Sequence, residues 1–296
     1  MVSGTDLVAT FPQLQDYASV TVLEFSKIGS YRITPDFWFQ LFRKIEAILL
    51  EDLTLAGVVI THGTDTIDET AFFLHLTLKD SRPVVLCGAM KMVDEVSPDG
   101  PANLLNAVRV AADLEAKGRG VLLVFNETIL SARDAWKSDN RRPETFRPVH
   151  GTLGVVDPEG VRFYRKVEQP HTLTTEFDLS LTNNLPRVEI ITDFTGFDAS
   201  ILDYFLSRNL DGLVFQSMAG GRLSQGAFDG LKIASESMVV VISSKVPLGR
   251  IVGDPNPGLD VIYARDLSAS RARILLMLAL MNDQSLDELR GVFEKY

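Results

Sequence analysis

Short apolar runs recur along the chain, each followed by a stretch long enough for a helix, and that alternation restricts the fold more than any other feature. VTVLEF (20–25), GVVIT (57–61), PVVLCG (83–88) and GVLLVF (120–125) are rich in Val, Ile and Leu. Runs of this kind belong to strands covered on both faces, so a parallel-type sheet flanked by helices is predicted. TPDFWFQLFRKIEAILL supplies one covering helix, with Thr34 as N-cap, Pro35 at the first helical position and Asp36 in the first turn. Its WFQLF stretch reads as core. A second helix is predicted directly after GTDTIDET, and a third over DGPANLLNAVRVAADLEAKG, ending at Gly118.

From residue 151 the pattern changes. GTLGVVDPEGVRFYR holds two alternating runs joined by Pro-Glu-Gly, the signature of a β-hairpin. A polar stretch with Pro170 and Pro186 and no period follows, and the domain linker is placed there, over 169–186. RVEIIT, GLVFQS, MVVVIS and an apolar helix from about 269 to 281 then resume the alternation. The predicted fold is therefore α/β in two domains. The larger, 1–168, carries the main sheet and the hairpin, and the smaller, 187–296, is a second α/β unit.

At 296 residues with a net charge of -10, the chain repels phosphate backbones and anionic lipid, so neither nucleic acid nor membrane is an expected partner. A small neutral or zwitterionic ligand fits better. The single Cys87 sits in an apolar strand-like run, which excludes an internal disulfide and a thiolate zinc site. His62, His75, His150 and His171 show no metal-ligand spacing, and no cofactor-binding motif occurs, so no metal and no cofactor are expected. ILLMLALM at 274–281 is far shorter than the roughly 20 residues of a membrane span. MVSGTDLVATFPQL shows no basic-then-apolar leader pattern, and a cytoplasmic protein is expected.

Chemistry concentrates in GVVITHGTDTIDETAFFL, 57–74, where an apolar run leads into His62, Gly63, Thr64, Asp65 and Thr66 before a helical stretch. Ligands of open α/β sheets bind beyond the carboxyl ends of strands, where helix N-termini aim their dipoles outward. Gly63 lets the backbone approach a ligand or take a positive φ, while Thr64 and Asp65 offer a hydroxyl and a carboxylate. Spacing alone equally allows Thr64 or Asp65 to cap the helix, with Asp68 and Glu69 in its first turn.

This segment closely resembles the second signature of the bacterial L-asparaginase family. FSKIGSYRITPDFW resembles that family's substrate-binding turn, PVVLCGAM the strand ending near the leaving amide, and GRGVLLVFNETILSARDAWKSDN the segment that supplies its catalytic lysine. VVVISSKVPLG and ARILLMLALM extend the likeness into the second domain. The resemblance implies Thr64, Asp65 and Lys137 as catalytic residues, with Gly29, Ser30, Gly63 and Ala89 around the substrate. It also implies a homo-oligomer, a dimer of dimers. Without it, Lys137 reads as a solvated loop lysine between Arg133 and Arg141.

The likeness has gaps. Family members open with an apolar strand and a Gly-Gly-Thr-Ile turn whose threonine is the primary nucleophile, and that strand lies between those expected here at 20–25 and 57–61. The first residues of this sequence resemble the segment after that turn, so the strand and its threonine are expected to be missing, leaving a slot in the sheet. Thr5 is read as a cap for a short helix. Met92 ends Gly88-Ala89-Met90-Lys91-Met92 where the family has Pro, Trp136 replaces a threonine, and Arg222 stands where an asparagine is expected. These changes lead to the expectation that asparagine itself is a poor substrate. Two functions follow: an asparaginase-like amidohydrolase acting on a small amide through Thr64, Asp65 and Lys137, or a relative that binds a small ligand without hydrolysing it. A tRNA-linked amidase subunit conflicts with the acidic charge.

Overall fold

The computed structural model describes residues 4–180, 182 and 184–296; Leu181 and Asn183 of the expected linker lie outside the described residues, as do 1–3 of the opening segment. The chain divides into two compact units, 1–178 and 179–296.

The first unit runs α1 (Gly4–Thr10), α2 (Pro35–Glu51), β1 (Val58–Thr61), α3 (Ile67–Thr77), β2 (Val84–Cys87), α4 (Gly100–Ala112), β3 (Val121–Phe125), β4 (Thr128–Ser131), β5 (Ala135–Lys137), β6 (Phe146–Pro148), β7 (Gly154–Asp157) and β8 (Gly160–Phe163). Helix α2 starts as its sequence dictates, with the Thr34 hydroxyl accepting from the Phe37 amide and Pro35 following. Helix α4 stops at Ala112, earlier than expected. A 3-10 turn, Leu114–Ala116, carries the chain on to Gly118, whose φ of 68° closes the segment.

Six strands pair in the order β1-β2-β3-β4-β7-β8. The first three are parallel, and β4, β7 and β8 continue antiparallel, so the sheet is mixed. The turn from β3 to β4 uses only Asn126 and Glu127, both at positive φ (46° and 62°), a two-residue hairpin geometry that matches sheet twist. Val85, Cys87, Leu122 and Val124 enter one buried cluster with Leu104, Ala107 and Val108 of α4. Strand alternation sends Val84, Leu86 and Leu123 to the opposite face, where α3 packs on β3 and α2 stacks Trp38 on Phe73 of α3 at 5.5 Å between ring centroids.

The predicted strand at 20–25 does not form. No ladder bond reaches it, and Leu23 and Phe25 stay 48% and 36% exposed. Its β-prone residues needed a paired neighbour, because strand preference is largely a packing preference. Val20 does join the α4-side cluster, together with Val59 of β1. Strand β1 is consequently an edge. The Val58 and His62 amides bond to Pro83 and Cys87 on the β2 side at 2.9 and 2.8 Å, so the backbone groups of Val59 and Thr61 point away. Among the described residues no strand pairs with them.

The second unit comprises β9 (Val188–Thr192), α5 (Ser200–Leu206), β10 (Gly212–Ser217), α6 (Gln225–Ala234), β11 (Val239–Ser244), β12 (Ile262–Tyr263), α7 (Ala269–Ala279) and α8 (Leu286–Lys295). Its sheet, β12-β11-β10-β9, is parallel throughout. Among the described residues no helix is long and apolar enough to cross a membrane.

The edge position of β1 predicts unequal costs of truncation. Leu123→Ala in the fully buried β3 should lower unfolding free energy by about 3 kcal/mol, and Val59→Ala in half-buried β1 by about 1 kcal/mol. Urea titration of the two variants checks this; equal losses would mean that β1 is as enclosed as β3.

Candidate active site

Strand β1 ends at Thr61, paired with Cys87, so the segments that follow β1 and β2 leave the sheet side by side. After β1 come His62, Gly63, Thr64, Asp65 and Thr66, then α3, whose first turn carries Asp68 and Glu69. Thr66 is the N-cap residue, but its side chain makes no capping bond. Its hydroxyl donates instead to the Ser30 carbonyl at 2.9 Å, and the Asp65 amide donates to Ser30 Oγ at 3.2 Å. Neither Thr64 nor Asp65 caps the helix, which closes the bland reading left open by spacing.

Ser30 is 3% exposed and begins a 3-10 turn, Ser30–Arg32, with Gly29 before it. Its hydroxyl oxygen already serves the Asp65 amide, leaving one proton to donate elsewhere. Gly63 has no positive φ, contrary to one of the two roles expected for it. Its missing side chain serves close approach: a Cβ there would stand 2.7 Å from Ser30 Oγ.

Lys137 arrives from the other direction, at the end of β5, which pairs antiparallel with β6 through Lys137 and Phe146. Phe146 packs on Phe125 at the end of β3 with ring centroids 4.5 Å apart, fixing this ribbon against the main sheet. Beyond it, the Ser138 amide donates to the Thr145 carbonyl at 2.8 Å and closes the connecting loop. From this platform Lys137 Nζ donates to Thr64 Oγ1 at 3.0 Å and to Asp65 Oδ1 at 3.2 Å. The Lys137 and Asp65 side chains are 21% and 57% exposed, so the ion pair is open to solvent on the carboxylate side. The structure thus brings residues 64, 65 and 137 into contact across more than seventy residues of sequence.

Ala89 lies exposed just beyond β2. The turn it occupies is held from below. Asp99 accepts from the Met90 amide at 3.0 Å and the Lys91 amide at 2.9 Å, and Asn103 Nδ2 donates to the Gly88 carbonyl at 2.9 Å and to Asp99 at 3.2 Å. Asn103 Oδ1 also accepts from the Asn126 amide at 2.9 Å, tying this turn to the β3–β4 hairpin. Sequence reasoning missed Asp99 and Asn103. Asp99 before Gly-Pro reads as an ordinary N-cap, yet it makes no cap bond and spends its carboxylate on the neighbouring turn.

Thr5, read as a helix cap, sits inside α1, and its amide and hydroxyl both donate to Glu24 at 3.0 and 3.4 Å. Burial pushes the Cys87 thiol up to about 12, so it carries no thiolate near neutral pH. Among the described residues no three His, Cys, Asp or Glu side chains gather as metal ligands. In the second unit, Arg222 borders a concavity of about 530 Å³ with Gly220 and Asp254; neither Thr64 nor Lys137 lines it.

A two-domain α/β protein with hydroxyl, carboxylate and amine gathered at the carboxyl end of a parallel strand is what fold and site together define. The family model for the asparaginase N-terminal domain matches residues 1–169, and that for the glutaminase/asparaginase C-terminal domain matches 187–293. The chain belongs to the asparaginase family. It is 36% identical over 295 residues to "Probable L-asparaginase periplasmic" of Haemophilus influenzae, covering 98% of this chain and 84% of that protein. It is 36% identical over 300 residues to "L-asparaginase 2" of Escherichia coli strain K12, covering 100% of this chain and 85% of the other. The crystal structure of a "Probable Cytoplasmic L-asparaginase" from Campylobacter jejuni superposes with a TM-score of 0.96 at 35% identity, covering 100% of this chain and 95% of that one.

Burial lowers His62 and His171 below the usual imidazole value of 6.5; for His62 a bond to the Gly63 carbonyl works in the opposite direction. The unfolded chain therefore binds protons near that value that the folded chain refuses, and stability is lost as pH falls through it. Urea midpoints should be lower at about pH 5.5 than at about pH 7.5, with His171→Gln flattening the difference. A midpoint that rises on acidification would contradict this sign.

Proposed function

We propose that this chain is an amidohydrolase that converts a small amide, L-asparagine or a related compound, to the acid and ammonia, with Thr64, Asp65 and Lys137 as its working groups. The observation that carries the reading is the contact of Lys137 Nζ with Thr64 Oγ1 at 3.0 Å and Asp65 at 3.2 Å. An amide carbonyl is a poor electrophile, so attack needs an activated oxygen and a group to take its proton. Thr64 Oγ1 attacks the carbonyl carbon and its proton passes to the Lys137 amine; the nitrogen leaves as ammonia with that proton. Water then cleaves the Thr64 ester, releasing the acid and restoring the hydroxyl. Asp65 holds the substrate's ammonium, Ser30 donates its remaining proton to the substrate carboxylate with Gly29 and Gly63 shaping that wall, and Ala89 faces the leaving amide. Chemistry of this kind is consistent with the names of the relatives, which are asparaginases.

A second reading, binding without turnover, is favoured by the ion pair itself. An ammonium that donates to Thr64 and Asp65 has no lone pair with which to take the Thr64 proton. Ammonia release from asparagine, glutamine and small amides decides between them. Hydrolysis is expected, with Thr64→Ala and Lys137→Ala reducing kcat by roughly 10²- to 10⁴-fold. Wild-type protein that releases no more ammonia than these variants would leave only the binding reading.

We also read the chain as a homo-oligomer, supported by the exposed apolar side chains Met92, Val93 and Val96 next to the Ala89 turn. A solution mass of 32.7 kDa by light scattering, that of one chain, would refute this.

A further inference from the structure

One polar chain runs from the buried interior to the peptide that carries Thr64. Trp38 of α2 is 3% exposed, and its indole N–H donates to Thr70 Oγ1 of α3 at 2.9 Å, where Thr70 is fully buried. Thr70 Oγ1 also lies 3.0 Å from His62 Nε2. The Gly63 carbonyl oxygen, 2.6 Å from His62 Nδ1, can only accept, so Nδ1 carries the imidazole proton. In the neutral ring Nε2 is then bare, and the Thr70 hydroxyl, which accepts the indole N–H, donates its own proton there. Each donor in the chain thus has one acceptor, and only one tautomer of neutral His62 satisfies it.

The Gly63 carbonyl belongs to the peptide plane joining Gly63 to Thr64. Fixing that oxygen from the α3 side fixes the plane, while Ser30 holds the next amide, that of Asp65, from the other. We propose that Trp38, Thr70 and His62 form a hydrogen-bonded relay that sets the direction of the Thr64 hydroxyl toward Lys137, with His62 a positioning residue locked as its Nδ1–H tautomer. The kinetic part of this inference rests on the amidohydrolase reading; the tautomer and the rigidity of the turn do not.

The test uses the full chain. Nitrogen-15 spectra of the imidazoles at about pH 7.5 should show His62 protonated on Nδ1 and bare on Nε2; the reverse tautomer overturns the relay. Thr70→Val removes the central hydroxyl. It should accelerate amide hydrogen exchange at Thr64 and Asp65 and lower kcat roughly 10- to 100-fold with KM held within about twofold, and Thr70→Ser should restore both. Trp38→Phe, which spares the hydroxyl, should fall between. Wild-type exchange and kcat in a folded Thr70→Val overturn the proposal. If Thr70→Val does not fold, Trp38→Phe and the Thr70→Ser rescue carry the same comparison. If wild-type protein hydrolyses no amide, the functional reading falls, and the relay stands or falls on tautomer and exchange alone.

Discussion

Thr64 and Asp65 hang from the carboxyl end of a four-residue strand, β1, that among the described residues is paired on one side only. The parallel register of β1 with β2, Thr61 opposite Cys87, sets where the His62–Thr66 turn and the Ala89 turn leave the sheet. An edge strand of this kind fixes position along its own direction well and lateral position poorly, because half of its ladder is absent. The surrounding contacts supply what the missing half does not. Ser30 grips the turn from one side, Thr70 reaches it through His62 from the other, and Lys137 bridges across from β5.

Magnitudes separate the contacts that hold this arrangement from those that do little to hold it. The Lys137–Asp65 pair has a carboxylate 57% exposed, and exposed pairs contribute about 0–1 kcal/mol. It therefore does little to hold the turn. The Trp38–Thr70 bond is buried, and leaving such an indole N–H without a partner costs about 1–3 kcal/mol. The same ordering applies to Asp99 and Asn103, which satisfy the Met90, Lys91 and Asn126 amides beneath the site. Asp65 faces solvent, Thr64 and Lys137 are half-buried with His62 and Asp99, and Trp38, Thr70, Ser30 and Asn103 beneath them are buried.

What the sequence disclosed follows the range of the forces involved. Helix α2 was legible because its start is written locally, in Thr34, Pro35 and Asp36, and the parallel core strands because burial on both faces leaves a continuous apolar run. Residues 20–25 were misread for the opposite reason: their composition suits a strand, but pairing depends on a neighbour that composition does not report. Strands β4 to β6 are short, and the Asn126–Glu127 turn lacks the glycine that usually announces a two-residue hairpin. Without them Lys137 had no visible scaffold, and its placement rested on family likeness alone. His62 shows no metal-ligand spacing, and its contact with Thr70 joins residues eight positions apart around a strand-to-helix turn that no periodicity encodes.

The edge position has a further consequence for motion. Local opening follows the segments with least burial and fewest protected backbone bonds, and β1 is half-buried where β2 and β3 are fully buried. A turn on such a strand would loosen first, carrying Thr64 with it. The short length of β1, and the Ser30 clamp just beyond it at Gly63, limit how far that loosening spreads. The proposed attack by Thr64 needs a hydroxyl aimed to within a fraction of an ångström, so the more weakly the strand is held, the more of that aim must come from side chains packed against the turn rather than from the sheet.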